Sequence, residues 1–329
     1  MPQDPFEVPG PGTGVTLRVA TPVGPISVVG EIVSADSDVW AVRRRDGEVV
    51  EVSVASIEAR RVVPPGRAAT TSAQEIEQVA AFGWRAVETV RLGEWLLRAS
   101  SGFTRRANSA LTIGDPGCEL DRAIATVSGW YAERGLPPIV MTADGASSPA
   151  VAEGLVERRW ASLSHSHVMT GEVSHALRAM PDAVGRAVDS GLELRVEDTP
   201  DDAWYACYAE NAVPVTDAAR QVLEGHPAVV FASLREGNRA VAVARANVDA
   251  RWTGISAVRV TADRRRSGLG AAITLAACKE AARRGGRHVY LQVEVDNSGA
   301  IELYRRLNLR VHHDYRYWTT PTDIDNGCQ

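Results

Sequence analysis

The stretch Val258–Ala271, VRVTADRRRSGLGA, constrains the fold of this chain more than any other. An alternating apolar run ends at Val260, an arginine-rich loop follows, and Gly268 and Gly270 open a long alanine-rich helix. Strand, glycine loop and helix start, in that order, present backbone N–H groups to an anion. The first helical turn has donors with no internal acceptor, and its dipole favours negative charge. Gly268 and Gly270 lack side chains, so a pyrophosphate can approach the backbone closely. The stretch therefore predicts a site for a phosphate carrier.

Composition narrows which carrier and which chemistry. The formal net charge of −5 leaves no broad electrostatic footprint for nucleic acid. Lys279 is the only lysine, so a lysine nucleophile, a Schiff base or a P-loop would have to use it. The four cysteines (Cys118, Cys207, Cys278, Cys328) are far apart and form no C-x-x-C pair, as expected of a reduced cytoplasmic protein. The start, MPQDPFEVPGPGTG, has neither a basic nor an apolar region of a signal peptide, and no apolar run reaches the about 18 residues of a membrane span. Neither nucleic acid nor membrane is an expected partner.

The chain reads as several parts. Residues 1–12 are rich in Pro and Gly and are expected to be disordered. Residues 13–66 hold five short alternating runs, with Asp46-Gly47 as a hairpin signal, and resemble a Src-homology-3-like small β-barrel. Arg43, Arg44 and Arg45 there are either a basic binding edge or a solvated strand. After the linker Pro64-Pro65-Gly66, residues 72–190 alternate helices and strands, with RLGEWLLRAS and RRANSALTIG read as one strand each. Residues 191–320 follow with a similar order of elements. Each half closes on strand, helix, strand: LPPIVMTAD–PAVAEGLVERRW–SLSHSHVMT and HVYLQVEVDN–SGAIELYRRLN–LRVHHDYRYW. This order predicts a tandem duplication.

No Gly-Lys pair exists, so the glycine loop is not a P-loop. A dinucleotide fold fits poorly: Ile273 occupies the third glycine position, and seven residues, Thr261 to Ser267, separate the strand from the first glycine. Coenzyme A is the third carrier. The loop Arg265-Arg266-Ser267-Gly268-Leu269-Gly270, the long helix, the next strand, and then Asn297, Ala300, Leu303, Tyr304 and Leu307 in NSGAIELYRRLNL resemble the GNAT superfamily of acyl-CoA N-acyltransferases. Departures are Ala262, Asn308 and Leu309, where proline, glycine and phenylalanine are usual. With the barrel and the segment RLGEWLLRASSGFTRRANSALTIGDPG, nearly the whole chain is similar to two-part GNAT proteins of high-GC Gram-positive bacteria, some of them assigned as N-acetylglutamate synthases.

The resemblance implies an α/β chain: an α+β GNAT fold with a central, mixed, mostly antiparallel sheet, in tandem, preceded by the small all-β barrel. Its domains would be a degenerate GNAT-like half at 72–190 and a catalytic GNAT domain at 191–320. It implies acetyl-CoA as co-substrate and no metal. The pantetheine arm would pair with the strand at Val258, Arg259 and Val260, beside a bulge. The pyrophosphate would lie on the backbone of Arg266, Ser267, Gly268, Leu269, Gly270 and Ala271, with Arg265 adding charge. Asn297 would cap its helix and touch the coenzyme arm. Tyr304 would be either the general acid for the leaving thiolate or a core tyrosine.

Glu294 and Asp296 share a strand face by alternation, and either could accept the amine proton through water or be a solvated strand-end carboxylate. In the first half, TIGDPGCELDRAI has no arginine before its glycines. Its Glu119 and Asp121 would repel a pyrophosphate, so one coenzyme site per chain is expected. His165 with His167, and His312 with His313, lack a third ligand at suitable spacing for a metal. The acceptor is a small-molecule primary amine, glutamate among them, with Arg245 or Arg259 as candidate cationic contacts. A protein or peptide N-acetyltransferase and a non-catalytic acyl-CoA sensor are the alternatives. Because a duplication can complete the sheet within one chain, a monomer is favoured over a dimer.

Overall fold

In the computed structural model, which describes residues 8, 14–21, 24–44, 48–63, 71–210 and 215–321, the chain divides into two compact units, Met1–Thr71 and Ser72–Gln329. Apart from Val8, the Met1–Gly12 tail lies outside the described residues. So do the Asp46-Gly47 turn, Arg45, the Pro64-Pro65-Gly66 linker and Cys328.

The first unit follows its period-two pattern. Strands β1 (Gly14–Val19), β2 (Ile26–Ala35), β3 (Val39–Arg44), β4 (Val49–Ser53) and β5 (Ile57–Val63) form an antiparallel sheet in the order β4-β3-β2-β1-β5. Val15, Leu17 and Val19 alternate inward and meet Val28, Ile32, Trp40, Val42 and Val52 in one core. Arg44 pairs with Glu48 at 3.5 Å on the solvent side.

The second unit begins with α1 (Ala73–Gly83), whose start is set by a capping box between Ser72 and Glu75. There follow β6 (Glu88–Leu92), β7 (Trp95–Ala99), β8 (Ala110–Leu111), α2 (Leu120–Ala132), β9 (Ile139–Ala143), α3 (Pro149–Glu157) and β10 (Ala161–Glu172). Then come α4 (Val173–Ala179), α5 (Ala183–Asp189), β11 (Glu193–Glu197), α6 (Asp202–Ala209), α7 (Asp217–Glu224), β12 (Val229–Glu236) and β13 (Arg239–Asp249). The chain continues through β14 (Trp252–Val260), α8 (Leu269–Arg283), β15 (His288–Glu294), α9 (Ser298–Arg306) and β16 (Arg310–Thr319).

Two of these stretches depart from their sequence reading. RLGEWLLRAS is a hairpin, not one strand: Gly93 at φ +56 turns the chain so that β6 pairs with β7. RRANSALTIG is a 3-10 turn at Arg105–Ala107 followed by the two-residue β8. Helices α4, α5 and α7 are additional, and Ala176, Ala183 and Ala187 of the first two join the core built around α8.

All eleven strands lie in one sheet, ordered β11-β12-β13-β14-β15-β10-β16-β9-β8-β7-β6. The 190/191 division therefore falls between α5 and β11, inside this unit. Strand β10 separates β15 from β16: Ser166 faces Glu294 on one side and Tyr315 on the other. Strand β16 in turn pairs with β9, Tyr315 against Ala143. The closing strand of each stretch thus lies against the sheet of the other. Helix α8 is buried along most of its length, and its many alanines let it approach β12, β13 and β14 closely.

Candidate active site

The sheet opens at the parallel pair β14–β15. Its register runs from Trp252 opposite His288 to Ile255 opposite Leu291 and then stops. Ala257 sits at φ +52, where the register of β13 and β14 also slips, so a bulge bends β14 away from β15. The resulting cleft of about 560 Å³ is bounded by Ile255–Arg259, Leu291–Glu294, Asn297, Ala300 and Tyr304. Trp84, Phe103–Arg106, Ser164, Ser166, Tyr208, Tyr315 and Tyr317 complete it. Val258 and Arg259 of the expected coenzyme strand line the cleft, whereas Val260 lies just beyond, packed against the α8 core.

The glycine loop has the geometry of an anion cradle. Gly268 is left-handed at φ +82 and forms the N-cap of α8, with Arg266 also at positive φ, +64. The N–H groups of Ala271 and Ala272 both donate to the Gly268 carbonyl, at 3.1 and 3.2 Å. Ala271, expected to serve the pyrophosphate, has thus committed its N–H within the chain. The donors of Ser267, Gly268, Leu269 and Gly270 find no acceptor among the described residues. A side chain on Gly270 would meet Leu303 Cδ2 at 3.2 Å, which accounts for glycine there. Arg264 pairs with Glu236, leaving the exposed Arg265 and Arg266 beside the helix start.

Asn297 caps α9 by accepting the Ala300 N–H at 3.1 Å and also borders the cleft. Tyr304 packs with Leu291 and Val293, and its hydroxyl makes no hydrogen bond among the described residues. Burial, with a smaller contribution from Cys278, pushes its hydroxyl up to about 12. It therefore holds its proton at neutral pH and is a donor. Glu294 ends β15, borders the cleft and pairs with Arg105 at 3.5 Å. Asp296 lies past the end of the strand and does not line the cleft.

Alternation along β15 gives the cleft two faces. Leu291 and Val293 face Tyr304, whereas Tyr290 joins Tyr315 and Tyr317 on the opposite side, the side of Gln292. That second face receives the loop after β7. Asn108, buried, accepts from Ser100 N (2.8 Å) and Gly102 N (3.0 Å) and donates to Phe103 O (2.8 Å) and Thr104 O (2.9 Å). Thr104, at φ +56, accepts from Trp84 Nε1 at 3.1 Å. The Asn108 clamp holds the turn that carries Arg105 and Arg106 into the cleft. Nothing in the spacing of RRANSALTIG marks these arginines. The buried asparagine is their only local signal.

Arg245 is not a cleft residue. It is fully buried and donates to Leu223 O (2.6 Å), Gly83 O (2.9 Å), Asn247 (3.2 Å) and Ser256 (3.3 Å), with burial lowering its guanidinium to about 10. Its carbonyl partners make it a strut between α1, α7 and β13, which removes it as an acceptor ligand. Arg259 is exposed at the cleft.

The glycine turn of the first half is closed from within. Glu94 accepts the Asp115 N–H at 2.6 Å, and Asp115 accepts that of Gly117 at 2.7 Å. A Cβ on Gly114 would fall 2.3 Å from the Glu94 carboxylate, so a negative group already fills the space a phosphate would need. The histidines are tied to carboxylates: His165 and His167 to Asp314, each at 2.7 Å, and His313 to the buried Glu77 at 2.9 Å, with His312 on His313 at 2.8 Å. Among the described residues no three His, Cys, Asp or Glu side chains converge as a metal site would require.

Comparison with known proteins bears on family and fold. A family model described as "Probable histone acetyltransferase Rv0428c C-terminal" matches residues 66–318. The chain is 33% identical to the probable histone acetyltransferase Rv0428c of Mycobacterium tuberculosis, over 94% of its own length and 95% of that protein. Among solved structures it is similar to a GCN5-related N-acetyltransferase from Kribbella flavida, with a TM-score of 0.59 and 22% identity, covering 76% of this chain and 95% of that one. A tandem GNAT protein from the clavulanic acid biosynthesis pathway superposes with a TM-score of 0.51 at 16% identity, covering 86% and 82% of the two chains. These last two likenesses are of fold.

Proposed function

The chain belongs to the family of the Rv0428c C-terminal region and is an acetyltransferase of GNAT type, and on that footing we propose that it moves acetyl from acetyl-CoA directly onto a primary amine held in the same cleft. The observation that carries this reading is the unpaired, protonated Tyr304 hydroxyl of α9 in the splay between β14 and β15, with the open donors of Ser267–Gly270 on the loop that follows β14. Acetyl-CoA supplies the activated acetyl group. The pantetheine arm adds to the free edge of β14 at Val258–Val260 like an extra strand. The loop donors, with Arg265 and Arg266, hold the pyrophosphate. Asn297 orders the start of α9 and contacts the arm.

The amine nitrogen forms its bond to the acetyl carbon as the carbon–sulfur bond breaks. A backbone N–H of β14 stabilises the charge that develops on the carbonyl oxygen. Tyr304 delivers its proton to the departing sulfur, and Glu294 takes the proton of the amine through water. The carboxylate-filled turn at Gly114–Gly117 supports a reading of one site per chain. The two similar stretches read as a duplication in which the first copy became scaffold. The N-terminal sheet reads as a barrel of the Src-homology-3 type, and the whole as a cytoplasmic monomer.

Glutamate, as in an N-acetylglutamate synthase, is the small-molecule acceptor this reading names. The description of the mycobacterial relative as a probable histone acetyltransferase favours a second reading, a protein amine as acceptor. Thiol release from acetyl-CoA, measured over a panel of glutamate, other amino acids, arginine, polyamines and lysine-containing peptides, separates the two. Tyr304→Phe should lower kcat by about 10²–10⁴-fold while leaving acetyl-CoA affinity within about twofold. Equal turnover by wild type and Y304F would remove Tyr304 from the chemistry, and no turnover on any amine would favour an acyl-CoA sensor.

A further inference from the structure

The face of the cleft opposite Tyr304 holds a cation, Arg106, whose one carboxylate within electrostatic reach is the buried Glu77, itself tied to His313. Arg106 lies over the Trp84 ring, its guanidinium carbon 5.2 Å from the centroid, and its Nε is buried without a hydrogen-bond partner. No ion pair from Arg106 forms among the described residues; the carboxylate on this face, Glu294, is engaged by the neighbouring Arg105 at 3.5 Å. Two further groups on the face are polar, buried and unsatisfied: both amide atoms of Gln292 and the hydroxyl of Tyr317, a residue only 4% exposed. Native proteins rarely leave such groups unpaired unless something else supplies the partner. Arg106, Gln292 and Tyr317 all border the cleft, so its wall on this side carries one guanidinium, one amide and one phenol.

We propose that this face is a carboxylate-reading subsite, with Arg106 as its specificity-determining residue, and that the acceptor is a small amine carrying a carboxylate, a free amino acid. The inference rests on the acetyltransferase reading above and names its substrate class. Charge supports it: Arg105, Arg106 and Arg259 line the cleft against the single carboxylate of Glu294. A lysine-rich segment would bring further positive charge into a site already cationic. A guanidinium over an indole, in the turn held by the Asn108 clamp, can offer two parallel hydrogen bonds to a carboxylate. Gln292 and Tyr317 can donate to the same group, and Glu294 remains for the ammonium end. The phosphates of the coenzyme are accommodated at the far end of β14, on the Gly268 loop, and do not compete for Arg106.

The test uses the full chain and a matched pair of acceptors, L-alanine and L-alaninamide, with L-glutamate, L-aspartate and a lysine-rich peptide. Thiol release is measured for each acceptor, and calorimetric titration of L-glutamate and L-aspartate into the CoA-saturated protein gives binding without turnover. Wild type should favour alanine over alaninamide by at least about tenfold in kcat/KM. Arg106→Gln should raise KM for the carboxylate acceptors by about 10–100-fold, leave alaninamide turnover and acetyl-CoA affinity unchanged, and be partly rescued by Arg106→Lys. The unchanged acetyl-CoA affinity also shows that the variant is folded. Equal use of alanine and alaninamide, preference for the lysine-rich peptide, or equal loss on both acceptors in R106Q would overturn the proposal. So would the absence of calorimetric binding by both L-glutamate and L-aspartate. Failure to bind acetyl-CoA would instead overturn the acetyltransferase reading.

Discussion

Tyr304 and Arg106 both border the cleft in the opened sheet, and their surroundings differ. Tyr304 sits among Leu291, Val293 and the α8 core, where desolvation penalises the phenolate and keeps the proton on oxygen. Its raised value, about 12, has a definite consequence for pH dependence. The neutral form is favoured in the folded state, so Tyr304, as the proposed acid, would stay competent up to and past the ordinary tyrosine value of about 10. The kcat profile should therefore rise with amine deprotonation and show no alkaline descent below about pH 10; a limb near pH 8 to 9 that disappears in Y304F would contradict the assignment. Arg106, carried by the neighbouring Asn108 clamp, has the Glu77 charge within reach but makes no ion pair among the described residues, and on the proposed reading a ligand supplies that partner. Arg245 shows the contrast, since a buried guanidinium with two carbonyls and two side-chain oxygens in reach needs no ligand.

At the scale of elements, the cleft exists because β14 carries a bulge at Ala257 and α8 begins on a left-handed glycine. Gly268 at φ +82 has no atom within 4 Å of where a Cβ would stand, so substitution there is resisted by backbone conformation and not by crowding. Gly285, just past the other end of the same helix, has φ +98 and equally open surroundings. Gly268→Ala and Gly285→Ala should each cost about 1–3 kcal/mol in urea unfolding, but only G268A should weaken acetyl-CoA, by at least about tenfold in calorimetry. Equal coenzyme affinity in the two variants would show that the loop donors do not bind the pyrophosphate. At the Gly114–Gly117 turn, by contrast, the Glu94 carboxylate lies inside, where the Gly268 loop is open.

For the whole molecule, the position of β10 decides what can be separated. It supplies both neighbours of the break between β15 and β16, so residues 191–329 alone lack the strand that joins their own sheet. Exposed edges of β15 and β16 would then be open to aggregation. A fragment of residues 191–329 should show no cooperative thermal transition and no acetyl-CoA binding, whereas 72–329 should unfold cooperatively and bind. Independent folding of 191–329 by circular dichroism would show that the β10 insertion is dispensable. The proposed acceptor face depends on this union too, because Arg105, Arg106, Ser164 and Ser166 come from one stretch and Gln292, Glu294, Tyr315 and Tyr317 from the other.

What the sequence determined by itself was local. The inward alternation of Val15, Leu17 and Val19, the cap at Asn297, the left-handed Asn308 (φ +61) where glycine is usual, and the glycine-opened helix are all set by nearest neighbours, and each stands where the pattern places it. Only the tertiary structure decided the hairpin at Gly93, the insertion of β10, the burial of Arg245 and the arrival of Arg106 in the cleft. Strand partners across more than a hundred residues are chosen by which faces can be buried together, and a pattern read along one strand does not name its neighbour. The same holds for charge. An arginine in the sequence is only a cation, and whether carbonyls, a carboxylate or nothing meets it is settled when distant segments close around it.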